Sequence, residues 1–168
     1  WQWGGGWLAE IGFSDFAGST LVHSTGGAAA LAGIMILGPR YGRFTKSGVP
    51  TPIKPFAASS IPLVTIGVFV LWLGWFGFNG GSQLALGSFS DAVSISTIFI
   101  NTNLAACGGV MAAAVITRLM FGKTDVVQML NGAIGGLVAI TAEPLAPSPL
   151  SAILIGAVGG VIVVFGTK

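Results

Sequence analysis

The stretch Phe16–Gly38, FAGSTLVHSTGGAAALAGIMILG, is an apolar run of membrane-spanning length, and it holds the only histidine of the chain, His23. Asp15 stands directly before it. A helix that begins at Asp15 would place His23 about 12 Å along its axis, near the middle of a hydrocarbon core ~30 Å thick. Because an ionisable side chain at that depth is costly, it marks by default a path for protons, ions or a polar substrate.

The composition around this stretch belongs to a membrane protein. Only 7% of the 168 residues are charged and 53% are hydrophobic, and the mean hydropathy is +0.88. Since a soluble domain carries about 25% charged residues, the sequence predicts an all-α, polytopic membrane helix bundle. In such a protein the net charge of +2 reports topology and gives no reason to expect nucleic-acid binding. The single Cys107 excludes an intrachain disulfide.

Five apolar stretches are long enough to cross a bilayer: residues 16–38, 56–79, 92–121, 126–142 and 149–166. The third is long enough that it must tilt or extend beyond the bilayer, and the fourth is near the lower limit. Glycine and alanine recur at four-residue spacing, as at Gly26 with Ala30 and Gly132 with Gly136, which predicts close helix packing. The sequence begins with Trp1 and stops just after an apolar run, so we expect a piece of a longer chain.

The basic residues predict the orientation of these spans. In a five-span arrangement all seven fall on one side: Arg40, Arg43, Lys46, Lys54, Arg118, Lys123 and Lys168. The opposite loops carry only acidic charges, at Glu10, Asp15, Asp91 and Glu143. The positive-inside rule therefore predicts a multi-pass cell-membrane protein with the Trp1 end outside and the Lys168 end cytoplasmic.

Two polar residues at the first span are candidates for function. Asp15 is placed to cap the helix that follows, and a carboxylate at an outer vestibule would also attract cations. No Cys, Asp, Glu or second His lies near His23 at metal-ligand spacing. A hydrolase triad lacks its G-x-S-x-G turn, and no lysine lies within a span to hold retinal. The interpretation that remains for His23 is a polar side chain that lines a narrow conduit.

Aromatic residues form two clusters on the predicted outer side. Trp1, Trp3 and Trp7 surround three glycines, and Trp72, Trp75, Phe76 and Phe78 precede Asn79 and Ser82. Such residues serve as interfacial anchors, or their ring faces stabilise a small cation by ~0.5–2 kcal/mol; both interpretations stay open. Contacts of that size recruit an ion but do not offset its desolvation in hydrocarbon. Passage of a neutral species would avoid most of that cost.

The residues from Asp15 to Phe44, DFAGSTLVHSTGGAAALAGIMILGPRYGRF, closely resemble the signature of the ammonium transporter family (Amt/Mep/Rh), and of its Amt/Mep branch in particular. The blocks WGGGWLAEIGFSDFAGS, GWFGFNGGS and LNGAIGGLVAITA are similar to family blocks in the same order. The resemblance runs across essentially all of the chain. It implies part of an eleven-span fold with an inverted internal repeat, here the fifth to ninth spans, assembled as a homotrimer with one pore per subunit.

The resemblance also implies residue roles. Trp3 and Ser82 match the tryptophan and serine of the family's outer recruitment site, and Asp15 matches the acidic residue near the outer mouth. Phe78 matches one of two phenylalanines that close the pore, and His23 the first of its paired histidines. The second histidine and the other phenylalanine belong to spans that are not in this sequence. The segment AEPLAPSPL departs from the family pattern, so Glu143 receives no role.

The expected function is transport, with no enzymatic activity, no cofactor and no metal. Ammonium would be recruited at the outer aromatic site, and ammonia would pass through a hydrophobic pore beside His23. An electrogenic, uniport-like process and a plain ammonia channel both fit this function. Expected partners are ammonium or ammonia and the lipid bilayer. For the cytoplasmic loop from Arg40 to Lys54, a topology signal is the preferred interpretation, and a contact with a PII-type regulator is the alternative. An ammonium sensor coupled to a signalling module is the alternative function, and a truncated product without function is a third.

Overall fold

Every regular element of the computed structural model is helical in the residues that the structure describes, 1–40 and 56–167. The elements are α1 (Trp7–Glu10), a π-helical turn (Ser19–Ser24), α2 (Thr25–Leu37), α3 (Ile61–Gly81), α4 (Phe89–Phe121), α5 (Val126–Ile140) and α6 (Pro149–Gly166). The predicted all-α class is confirmed. Four of the basic residues behind the predicted orientation, Arg43, Lys46, Lys54 and Lys168, lie outside the described residues.

Four helical segments have the length and hydropathy to cross a membrane: Ser19–Leu37, Ile61–Gly81, Phe89–Phe121 and Pro149–Gly166. Helix α5 is apolar but has only 15 residues, so it lies below the usual length for a span. Helix α4 has 33 residues and is about 50 Å long at ~1.5 Å per residue, well beyond a ~30 Å core. It must tilt in the bilayer or extend out of it. The side of the membrane on which each loop lies stays a prediction.

Side-chain caps set where the later helices begin. Ser60, Ser88, Asp125 and Ser148 each accept hydrogen bonds from the first backbone N–H groups of the helix that follows. At Ser88 the bond is reciprocal, because the carboxylate of Asp91 accepts from the Ser88 backbone in a capping box. The second apolar stretch was expected to begin at residue 56. The helix begins at Ile61 instead, where Ser60 caps it and a proline occupies its first turn.

The core lies where α4, α5 and α6 meet. Glycines allow the backbones to touch there: a Cβ on Gly132 would lie 2.6 Å from the carbonyl oxygen of Gly109. A Cβ on Gly156 of α6 would collide with the carbonyl oxygen of Ala105 of α4. The close packing predicted from the spacing of Gly132 and Gly136 is confirmed. A Cβ on Gly26 of α2 would meet nothing within 4 Å among the described residues, apart from the adjoining chain of its own helix.

Two fully buried asparagines fasten the outer elements to α4. Asn79 of α3 donates a side-chain hydrogen bond to the hydroxyl of Thr102, at 3.0 Å. Asn101, the residue just before Thr102 on α4, donates to the carbonyl oxygens of Pro144 and Pro147, at 3.0 and 2.8 Å. These bonds hold α3 and the loop between α5 and α6 against α4, which gives the candidate site a fixed frame.

Candidate functional site

His23 lies in a π-helical turn that begins at Ser19, so the expectation of a helix starting at Asp15 is wrong. Gly18 precedes the turn with φ 109°, in the left-handed region that favours glycine. The backbone N–H of His23 donates to the carbonyl of Gly18, five residues back, at 3.1 Å, which is the π-helical bond. His23 is the fifth helical residue, about 6 Å from the start at the α-helical rise, so the depth of 12 Å is not supported.

The carboxylate of Asp15 explains why the helix starts late. It is 2% exposed, and its Oδ1 accepts from the backbone N–H groups of Gly18 and Ser19 at 3.0 and 2.8 Å. Its Oδ2 accepts from those of Thr20 and Leu21 at 2.8 and 2.9 Å. These four amides would otherwise be unsatisfied at a helix N-terminus. The capping interpretation of Asp15 is confirmed, and substrate contact by Asp15 stays a prediction.

Trp3 lies against the same turn. Its indole N–H donates to the backbone carbonyl of Asp15 at 3.0 Å, and its ring edge is next to Gly18, where a Cβ would lie 3.2 Å from Cη2. The side chain remains 53% exposed. Trp3 therefore has an exposed ring face, while its polar edge is bound to the segment that carries Asp15.

Two aromatic rings contact the imidazole of His23. The imidazole stacks on Trp75 of α3, with centroids 5.1 Å apart and planes at 28°. It also lies 5.6 Å from the ring of Phe78, and the rings of Trp75 and Phe78 are 5.9 Å apart. A pocket of about 270 Å³ is lined by these three residues and by Val70, Leu71 and Gly74. Its wall is therefore almost entirely aromatic and aliphatic.

One polar atom stands out in this wall. The Nε2 atom of His23 is buried and has no hydrogen-bond partner among residues 1–40 and 56–167. A neutral imidazole nitrogen donates or accepts depending on its tautomer, and an unmade bond at a buried polar atom costs free energy. The pocket therefore suits a small polar molecule that completes this bond.

The helical period of α3 explains which aromatic residues reach His23. Trp75 and Phe78 are three residues apart and share one face. Trp72 pairs instead with Phe69, at 6.2 Å, and Phe76 packs edge-on against Phe99 of α4, at 5.4 Å. The aromatic cluster seen in the sequence is thus divided among different faces of α3.

The C-terminal end of α5 holds the His23 segment in place. The backbone N–H groups of Phe16 and Ala17 donate to the carbonyls of Ala142 and Thr141, at 2.7 and 3.1 Å. The hydroxyl of Ser19 donates to the carbonyl of Val138, at 2.9 Å. The segment before the π-helical turn is therefore docked by backbone bonds that do not depend on aromatic packing.

The five residues singled out from the sequence fall into two groups. Trp3 is bonded to Asp15, whereas His23 contacts Phe78, whose carbonyl accepts from the hydroxyl of Ser82 at 2.8 Å. No hydrogen bond within the described ranges joins Trp3 to Ser82. From the sequence, Trp75 was recognised only as one member of an aromatic cluster. Its position three residues before Phe78, on the same helix face, was the signal that could have assigned it to the His23 site.

These helices and this pocket define a multi-pass helical membrane protein. Between two helices of membrane-spanning length, an imidazole nitrogen that has no partner among the described residues lies in an aromatic pocket. The chain belongs to the Ammonium Transporter Family, whose model matches residues 1–168. The resemblance inferred from the sequence is thereby confirmed, and the family and its relatives are transporters rather than enzymes.

Three relatives show the extent of the similarity. A protein of Synechocystis sp., provisionally named an ammonium transporter, is 46% identical over 170 residues, which cover 100% of this chain and 38% of the relative. Ammonium transporter Amt2 of Archaeoglobus fulgidus is 44% identical, over 99% of this chain and 36% of its own. The solved structure titled Sensor Amt Protein superposes with a TM-score of 0.87 at 37% identity, over 98% of this chain and 41% of that one. The chain thus spans well under half the length of these proteins.

Proposed function

We propose that this chain forms part of an ammonium transport path, in which neutral ammonia passes His23. The observation that carries the proposal is the unpartnered, buried Nε2 of His23 beside the rings of Trp75 and Phe78. Ammonia has N–H donors and a lone pair, so it completes that bond whichever tautomer the imidazole adopts. A charged ion would gain little from an aliphatic and aromatic wall, since its desolvation cost far exceeds cation–π stabilisation.

Recruitment of the ion takes place outside the pocket in this proposal. The exposed face of Trp3 and the hydroxyl of Ser82 attract ammonium, which transfers its proton to water outside the pocket before ammonia passes Phe78. Asp15 contributes by holding the turn and by its charge, because both of its oxygens are already occupied by backbone N–H groups. In this arrangement the Trp1 end faces outside, three copies assemble in the bilayer, and a PII-type regulator binds from the cytoplasm.

The test is uptake of radiolabelled methylammonium by the complete protein in proteoliposomes. His23→Ala removes the unpartnered imidazole nitrogen of the pocket wall, so we expect the maximal rate to fall at least about tenfold, the effect of losing one good hydrogen bond in a dry site. Trp3→Leu removes a cation–π contact, so the half-saturating concentration should rise by about twofold to thirtyfold.

Trp7→Leu is the matched control for Trp3, because Trp7 is similarly exposed, at 60% against 53%. We expect its uptake kinetics to equal those of the wild type. Uptake that is unchanged after His23→Ala and Trp3→Leu are combined would refute these roles, and absence of uptake by the wild type would refute transport itself.

An ammonium sensor is the second candidate, favoured by one observation. The solved structure titled Sensor Amt Protein matches 98% of this chain with a TM-score of 0.87. Ammonium binding measured by calorimetry on the same preparation separates the two functions. Saturable binding without methylammonium uptake supports the sensor, whereas binding with uptake supports the transporter.

A further inference from the structure

We propose that Thr141 is a positioning residue for the transport path, whose hydroxyl fixes the ring of Trp75 against His23. This inference rests on the proposed function of the His23 pocket. It concerns a residue at the C-terminal end of α5, 118 positions from His23 along the chain, which the sequence does not connect with the site.

The geometry around the hydroxyl is complete. The indole N–H of Trp75 donates to Oγ1 of Thr141 at 2.9 Å, and Oγ1 donates in turn to the carbonyl of Leu137 at 2.7 Å. Thr141 is 0% exposed. The hydroxyl therefore accepts one hydrogen bond and donates another, and together these two bonds orient the hydroxyl and the indole.

The bond determines what Trp75 shows to the pocket. Since its only polar atom is bound to Thr141, the side chain contributes a ring surface to the wall and no donor that would compete for substrate. Without the hydroxyl the part-buried N–H would lose its acceptor, which favours rotation of the indole toward another acceptor. Rotation would remove the stacked wall of His23.

Thr141 also holds the opposite wall of the pocket, by a separate route. Its backbone carbonyl accepts from the N–H of Ala17, at 3.1 Å, in the segment that leads into the His23 turn. One residue thus sets the positions of both Trp75 and the His23 segment. Because the second bond uses backbone atoms only, a side-chain substitution removes the hold on Trp75 and leaves the hold on Ala17.

The experiment is a double-mutant cycle on the complete protein in proteoliposomes, using Thr141→Val, Trp75→Phe and both together. Valine keeps the shape of threonine and lacks the hydroxyl, so methylammonium uptake should fall by about fivefold to tenfold, in line with the loss of one side-chain hydrogen bond. Thr141→Ser keeps the hydroxyl and should stay within about twofold of the wild type. Phenylalanine has no N–H, so Thr141→Val should cause no further loss when Trp75 is already phenylalanine.

Thr117→Val is the matched control. Thr117 is also 0% exposed and donates to the carbonyl four residues earlier, also at 2.7 Å, but within the described ranges it bonds no aromatic side chain. Its substitution should lower the unfolding temperature as much as Thr141→Val does and leave uptake per folded protein unchanged.

Two results would overturn the proposal: wild-type uptake by Thr141→Val, or losses that multiply independently in the double variant. If the wild type itself does not take up methylammonium, the proposed function fails, and the same cycle is then measured on the unfolding temperature. Additive shifts there would show that the hydroxyl does not hold the indole, whereas non-additive shifts support the positioning role.

Discussion

Replacing Asp15 by asparagine should loosen the turn that carries His23. The two carboxylate oxygens accept two backbone N–H groups each. An asparagine side chain keeps one oxygen, and its NH₂ group would face the N–H groups of Thr20 and Leu21, donor against donor. Hydrogen bonds to a charged group contribute ~1.5–3 kcal/mol each, so losing two of them costs about 3–6 kcal/mol. We take the lower end, because the bonds of Phe16 and Ala17 to α5 remain.

Hydrogen exchange of the complete protein in nanodiscs measures this directly. A cost of about 3 kcal/mol raises the population of the open turn by roughly 100-fold, since ~1.4 kcal/mol is a factor of ten. The amides of residues 18–21 should therefore exchange about 100-fold faster in Asp15→Asn, while those in the middle of α4 should keep wild-type rates. Amide exchange reports local opening of this kind residue by residue.

Asp125→Asn provides the matched control. Asp125 caps α5 with one oxygen only, which accepts from both Val127 and Gln128 at 2.9 and 3.2 Å. The amide oxygen of asparagine replaces it, and asparagine and aspartate are comparable N-caps. We expect exchange near α5 to change less than about threefold. If the amides of residues 18–21 in Asp15→Asn also exchange less than threefold faster than in the wild type, the conclusion that both carboxylate oxygens hold the turn is refuted.

Two further predictions concern the frame of the site. Gly156→Ala places a methyl group against the carbonyl of Ala105 and should destabilise the bundle by about 1–3 kcal/mol, which a lower unfolding temperature in detergent would show. Gly26→Ala, with open space for its methyl group among the described residues, should leave the unfolding temperature unchanged. Equal shifts of the unfolding temperature in the two variants would contradict the packing argument. Asn101→Leu leaves two carbonyls of the loop between α5 and α6 without their buried donor, so limited proteolysis in that loop should become faster, and unchanged cleavage would show that Asn101 does not fasten it.

The helices were largely predictable because their signals are local. Each signal depends only on neighbouring residues: the length of an apolar run, a serine or aspartate that caps a helix, or a proline in its first turn. The last helix has the predicted bounds, Pro149–Gly166. The start of the first span was missed for a physical reason. Apolar residues continue back to Phe16, but Gly18 adopts a left-handed conformation, and the carboxylate of Asp15 accepts from the four backbone N–H groups of residues 18–21.

The site was predictable only in part, because its key contacts are long-range. His23 was identified from its cost in a membrane, and Phe78 from its resemblance to a family motif. Thr141 gives no comparable signal. A threonine at the end of an apolar helix is unremarkable in sequence, and its role depends on an indole 66 positions earlier in the chain. Such a pair becomes visible only when α3 and α5 are placed side by side.

The π-helical turn at Ser19–Ser24 makes the number of residues before His23 as important as their identity. A single deletion between Gly18 and His23 would turn the five-residue bond into an ordinary four-residue one and rotate the imidazole by about 100° around the helix axis. The ring would then leave Trp75 and Phe78, although every remaining side chain was still present. We expect natural variants of this turn to differ by substitution and to keep its length, since an insertion or deletion would misdirect the one polar nitrogen that the pocket offers.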